Sequence, residues 1–220
     1  MGWDEEKRSV MEAAQKLLTQ GLVFATSGNV SMRLGQKKGS GLLAVTPTGM
    51  PYEAMTPEDI VVIDFGGDVV EGNGNPSSES LTHIAVYKAR PDIGCVIHTH
   101  SIYASVLAVA GIELPPIIDE LVVYLGGPVK VAEYGFPGTE ELGEKACAAL
   151  EDRNAVFLRN HGLLSVGGTM QDALRVCELV ERAARIFIHA SALGKVGVLP
   201  SEVVEAEQNI FRMRQGRSKE

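Results

Sequence analysis

The chain has 220 residues, 45 % hydrophobic and 22 % charged, the profile of an ordinary globular protein that buries a large core without disulfides or structural metal. A net charge of −8 excludes the basic face that nucleic acid or an anionic lipid surface requires, and no apolar run reaches the roughly 18 residues of a membrane span. A phosphorylated small molecule remains a possible ligand, provided that the chain builds a local positive device for it.

The acidic stretch Trp3-Asp4-Glu5-Glu6 carries no signal-peptide pattern. The three cysteines, Cys95, Cys147 and Cys177, are odd in number and widely spaced, as free thiols are in a reducing compartment. Both features point to a cytoplasmic protein. With no repeat, low-complexity tract or long linker, residues 1–220 are expected to form one domain, with a core of about 10–194 and a C-terminal tail or helix over 201–220.

In chain order, residues 4–20 predict an amphipathic helix, with Val10, Ala13, Ala14, Leu17 and Leu18 on one face and Gly21 as its C-terminal stop. Short apolar runs at 29–34, 42–46 and 60–65, joined by glycine- and serine-rich turns, predict strands. Residues 77–90 predict a helix ended by Pro91, 94–98 a buried strand and 102–110 a helix closed by Gly111. A threonine-capped helix follows over 139–150, then strands at 155–158 and 163–166. A long helix spans 169–193, with Thr169 and Asp172 spaced as a capping box. Residues 201–217 are polar and predict a terminal helix that frays. The irregular alternation favours a mixed or largely antiparallel sheet with helices on both faces.

The five histidines carry the chemistry. His98 and His100 are two apart at the end of a predicted strand, so both rings leave one face. His161 follows another β-prone run, and Gly162 beside it permits a sharp turn that would push the ring into a cleft. Three neutral imidazoles with an open position form a recurring catalytic metal set. His189, deep in the long helix, reads as a packing or surface residue. Pro76-Ser77-Ser78-Glu79 opens a helix, whose N-terminus is a natural anion site, with Glu79 in the first turn. His83, one turn on, packs beside that carboxylate. The loops Thr26-Ser27-Gly28-Asn29-Val30-Ser31 and Thr46-Pro47-Thr48-Gly49 offer further N–H groups for an oxyanion. Neither loop is a P-loop or a dinucleotide fingerprint.

These pieces, in this order, resemble the class II aldolase/adducin family, with the fuculose-phosphate aldolase branch nearest. The matching stretches are Thr26-Ser27-Gly28-Asn29-Val30-Ser31, Thr46-Pro47-Thr48-Gly49-Met50-Pro51-Tyr52, Pro76-Ser77-Ser78-Glu79, Val96-Ile97-His98-Thr99-His100, Gly135-Phe136-Pro137-Gly138-Thr139 and Asn160-His161-Gly162-Leu163. The resemblance implies an α/β/α three-layer fold with a largely antiparallel sheet, and a cyclic homotetramer with active sites between subunits. It implies that His98, His100 and His161 bind one divalent metal, Zn²⁺ foremost, with Mn²⁺, Co²⁺ or Fe²⁺ compatible. Glu79 completes the empty metal site and becomes the acid/base once substrate displaces it; a dry pocket is expected to raise its pKa. Gly28, Asn29, Thr48, Gly49, Ser77 and Ser78 fall at the phosphate-binding positions.

The family's aldolases carry a tyrosine before the Gly-Gly turn that reaches a neighbouring subunit's site. Here Glu120 stands at that position, with Tyr124 one helical turn on, and the tail after Ser201 has no tyrosine. Glu120 or Tyr124 is therefore the candidate second acid/base. The implied reaction is reversible cleavage of a ketose 1-phosphate to dihydroxyacetone phosphate and an aldehyde through a metal-stabilised enediolate. Epimerisation, dehydration of methylthioribulose 1-phosphate or decarboxylation on the same metal site is the alternative, since related dehydratases and epimerases use an acid near Glu120. A metal-free structural module, as in adducin heads, is disfavoured because all three histidines and Glu79 are present.

Overall fold

A computed structural model describes residues 2–35 and 41–216. Among these, eight strands form one sheet in the order β4-β3-β2-β1-β5-β8-β7-β6. They are β1 (Asn29–Leu34), β2 (Leu42–Val45), β3 (Val61–Asp64), β4 (Val69–Glu71), β5 (Cys95–Thr99), β6 (Lys130–Ala132), β7 (Ala155–Leu158) and β8 (Gly162–Gly167). Every pairing is antiparallel except β6 with β7. This is the largely antiparallel sheet expected from the irregular alternation.

Helices cover both faces. On one side lie α1 (Asp4–Thr19), α3 (Ile102–Ala110), α4 (Asp119–Leu125) and α6 (Met170–Ala192); on the other lie α2 (Ser80–Ala89) and α5 (Glu140–Leu150). Strand β5 shows why its sequence is apolar without alternation. Cys95 and Ile97 pack towards α1 and α6, while Val96 packs towards α2 and α5, so both faces are buried. A central position also puts the end of β5 deep in the molecule, where His98 stands.

Helix ends follow their residues. Gly21 and Gly111 adopt φ of 68° after α1 and α3, a conformation that costs glycine little. Thr139 and Thr169 cap α5 and α6 by accepting the N–H groups of Leu142 and Asp172.

One local expectation needs correction, and three short elements were not anticipated. The helix expected from residue 77 begins at Ser80, because residues 75–77 are bonded to the loop around residue 47: Thr48 N–H donates to Asn75 and Ser77 N–H to Thr46. Glu79 is thus the residue before the helix, not part of its first turn. Strands β4 and β6, three residues each, are too short to show alternation and escape detection. Helix α4 is likewise seven residues. The terminal helix α7 (Ser201–Arg214) is docked on the domain: Phe211 is buried against Gly126, after α4, and the Gln208 amide donates to the Gly126 carbonyl.

Candidate active site

Strand β5 delivers His98 from inside the sheet and His100 just beyond its end, and the β7–β8 turn delivers His161. The turn reverses through Asn160, which takes a left-handed φ of 56°. Asparagine tolerates that region better than most residues. Gly162 is not the turning residue. Its role is space: a Cβ there would stand 2.3 Å from the Thr99 carbonyl and about 3 Å from the rings of His98 and His100. The three imidazoles close up only because residue 162 has no side chain.

The Nε2 atoms converge. His98 Nε2 lies 2.8 Å from that of His100 and 3.2 Å from that of His161. The Nδ1 of His98 lies 2.9 Å from the Leu163 carbonyl, which fixes the Nδ1–H tautomer and leaves Nε2 as a bare lone pair. Glu79 bridges the cluster, one oxygen 3.0 Å from His161 Nε2 and the other 3.2 Å from His98 Nε2. The Asn29 amide donates to the second oxygen at 3.0 Å.

This donor set fits a divalent cation. No arrangement of protons satisfies three ring nitrogens and a carboxylate all facing one point, whereas one cation satisfies all four. Two nitrogens each about 2.05 Å from a tetrahedral zinc would lie about 3.3 Å apart, close to the separations found. Protonation states agree. Burial pushes His98 well below the usual imidazole range and lowers His100, keeping both neutral. Burial alone would raise the Glu79 carboxyl, but the hydrogen bond with His161, the electrostatic pull of the His98 and His161 rings and the Asn29 amide outweigh it and hold Glu79 well below the carboxylate range. The raised pKa expected of Glu79 concerns the carboxylate once released from the histidines; at rest among them it is held low.

Next to the cluster is a small polar concavity of about 160 Å³. Gly28, Asn29, Thr48, Ser77 and Ser78 line it, and Glu79 and His100 form its inner wall. Gly49 follows Thr48 in the same turn, exposed, with φ of 70°. The start of α2 opens here. Among its described lining residues there is no lysine or arginine, so the positive device an acidic protein needs must come from N–H dipoles and the cation. The hydroxyl of buried Tyr52 donates to the Gly28 carbonyl at 2.7 Å and holds the loop from beneath. At Gly28, with φ of 77°, a Cβ would meet the His98 carbonyl at 2.7 Å. Sequence reasoning missed the Tyr52 prop and the Asn29–Glu79 contact, since both depend on which strand lies beside which.

His83, expected to pack beside the Glu79 carboxylate, feels that charge but spends its hydrogen bond elsewhere. Its Nδ1 lies 2.7 Å from the Ser31 hydroxyl, which in turn is 2.9 Å from the Tyr87 hydroxyl, in the sheet–α2 interface. His189 is exposed on α6 beside Tyr103.

Within one chain, Glu120 and Tyr124 do not join the histidines. They line a separate groove with Arg175, Glu178 and Arg182. Glu120 accepts from Arg182 at 3.2 Å, and the Tyr124 ring lies beneath the guanidinium groups of both Arg175 and Arg214, at 5.1 and 4.5 Å.

The site's composition and order match known proteins. Residues 8–188 match the model of the Class II Aldolase and Adducin N-terminal domain. The chain therefore belongs to the class II aldolase/adducin family, and with a three-histidine cluster able to hold a metal ion it is an aldolase of that family, an aldehyde-lyase. It is 35 % identical to the 5-deoxy-D-ribulose 1-phosphate aldolase of Bacillus thuringiensis, over 91 % of this chain and 92 % of that one. It is 34 % identical to the 5-methylthioribulose-1-phosphate/5-deoxyribulose-1-phosphate aldolase of Rhodospirillum rubrum, over 94 % and 90 %. A solved L-fuculose 1-phosphate aldolase superposes with a TM-score of 0.90 at 37 % identity, covering 96 % of this chain and 98 % of that one.

Proposed function

We propose that the enzyme cleaves a ketose 1-phosphate reversibly to dihydroxyacetone phosphate and an aldehyde. The observation that carries this reading is the convergence of three imidazole nitrogens and Glu79 on one point beside an anion-sized concavity at a helix start. His98, His100 and His161 hold one divalent cation, Zn²⁺ by donor chemistry, with Mn²⁺, Co²⁺ or Fe²⁺ as alternatives. Once bound, that cation supplies Lewis-acid polarisation of the substrate's carbonyl.

The protein's own groups do the rest. Ser77, Ser78, Thr48, the Gly28–Asn29 loop and the neighbouring Gly49 turn take the phosphate, which fixes the reacting carbons relative to the histidines. Glu79 moves the proton at C3: it delivers the proton when the C3–C4 bond breaks and removes it in condensation. Its contacts to His161 and His98 hold it ionised, and burial pulls the other way. Substrate that displaces it from the histidines therefore raises its proton affinity towards that of a working acid. Glu120 of a neighbouring subunit takes the C4 hydroxyl proton in cleavage and returns it in condensation. Tyr124 is the less suited of the pair, its ring already engaged by two guanidinium groups.

That assignment needs a second copy of the chain, and we place the protein as a cytoplasmic homotetramer with sites at subunit interfaces. Supporting this, Ile102, Val106 and Val109 form an exposed apolar stripe along α3, which starts directly after His100. No described helix is long and apolar enough to cross a membrane.

The test is a coupled assay for dihydroxyacetone phosphate with fuculose, rhamnulose, 5-deoxyribulose and methylthioribulose 1-phosphates, with and without chelator. Chelator-sensitive release is expected, and the best substrate identifies the aldehyde half. A metal-loaded protein that releases no dihydroxyacetone phosphate and instead yields one isomer, dehydrated ketone or decarboxylated product would overturn the reading in favour of epimerase, dehydratase or decarboxylase chemistry.

A further inference from the structure

Helix α3 joins the two segments that carry the three histidines. Its chain enters directly from His100 through Ser101. At its far end the Ala108 carbonyl accepts the N–H of Asn160, the residue before His161, at 3.2 Å. The Arg159 guanidinium fills the space a Cβ at Gly111 would take, 2.6 Å from its nearest nitrogen. The helix is thus a strut between His100 and the His161 turn.

Its N-terminus is held in an unusual way. A helix start leaves free N–H groups that the N-cap side chain ordinarily satisfies. Here the N-cap is Ser101, and its hydroxyl is buried without a partner. The N–H groups of Tyr103 and Ala104 donate instead to the two carboxylate oxygens of Glu181, each at 2.9 Å, from α6 almost 80 positions along the chain. Both bonds are charge-assisted, and the carboxylate sits at the positive end of the helix dipole. A local cap would stabilise α3 wherever it lay. A bidentate cap from α6 also fixes where α3 lies, and so where His100 sits relative to His98 and His161.

We propose that Glu181 is a positioning residue for the metal site: by clamping the start of α3 to α6 it sets the place of His100 in the three-histidine cluster. The inference rests on those histidines being the metal ligands. Outer groups that orient ligands typically contribute about 10- to 100-fold in metal affinity or activity. The experiment compares wild type, Glu181→Ala, Glu181→Gln and Thr169→Ala, with His98→Ala as control. Thr169→Ala removes an ordinary cap from α6 and serves as a variant destabilised away from the start of α3. Each is loaded with Co²⁺, and the visible absorption, the rate of cobalt loss to chelator, kcat and Tm are recorded.

Glu181→Ala is expected to release cobalt about 10- to 100-fold faster with an altered spectrum and a comparable fall in kcat. Glu181→Gln, which keeps one acceptor oxygen, should fall between it and wild type. Thr169→Ala should lower Tm while leaving spectrum, release rate and kcat at wild-type values. Wild-type cobalt behaviour in Glu181→Ala would overturn the proposal, and so would equal changes in Thr169→Ala, which would make the effect one of stability alone. Cobalt retained by His98→Ala would overturn the assignment of the metal ligands instead, a separate outcome.

Discussion

Two acidic residues, Glu79 and Glu120, stand in contrasting surroundings. Glu79 is held by two histidines and an amide inside a buried cluster whose hydrogen bonds lead back into the sheet. Glu120 lies on a half-exposed helix, its one named partner an arginine whose own side chain is 60 % exposed. The first is finished within a single chain; the second has no task there. The Glu79 carboxylate has its surroundings complete within one chain, whereas under the proposed function Glu120 would meet its task only beside a second copy.

The largest expected effect comes from breaking the finished region. His98→Ala should lose metal and activity together, down to the uncatalysed background; metal analysis of the purified variant alongside the cleavage assay checks both. Next is Glu79→Gln, which keeps the three nitrogens and should keep metal while kcat falls about 10²- to 10⁴-fold, the range of a positioned acid/base. Turnover near wild type would remove Glu79 from proton transfer. In the idle region, Glu120→Gln should lower kcat by about 10²-fold with full metal content and unchanged Tm, and Tyr124→Phe should stay within a few-fold of wild type. The reverse ranking would move the second acid/base to Tyr124. Mixing Glu120→Gln with His98→Ala subunits sharpens the contrast. If Glu120 serves a neighbour, mixed oligomers should regain activity that neither variant has alone.

How much of this was readable beforehand divides along the same line. His98, His100, His161 and Glu79 carry chemistry in their residue types and spacings, and the sheet brings together the four that the sequence singled out. The helices came through wherever periodicity ran for nine residues or more. What stayed hidden was short or non-local. β4 and β6 have three residues each, too few to show a period. Residues 77–79 have helix-start composition, but Ser77 is bound to the loop around residue 47, which only the tertiary structure shows. Gly162 was read as a turn glycine, while its work is to leave room for two rings. Glu181 is separated from α3 by almost 80 positions, and no local pattern announces such a cap.

The smallest expected effect at neutral pH, and the one that separates the two regions by stability, concerns His83. It is buried, bonded through Nδ1 to Ser31, and burial pushes it down to about 4 from an ordinary 6.5. In the unfolded chain it takes up a proton below about pH 6.5, while the folded protein resists until about 4. The stability it contributes is therefore complete above pH 6.5 and is lost as pH falls through that window, up to about 3 kcal/mol near pH 4. The exposed Glu120–Arg182 pair contributes roughly 0–1 kcal/mol, so its removal leaves stability at every pH near wild type. Denaturant melts of wild type, His83→Gln and Glu120→Gln at pH 7, 6 and 5 distinguish the two. The gap between wild type and His83→Gln should narrow steadily on acidification, because only wild type carries this histidine's penalty, while the Glu120→Gln curve should run parallel to wild type. A constant gap for His83→Gln would mean that acid reaches His83 in the folded protein, and that the interface between the sheet and α2 is less closed than its hydrogen bonds imply.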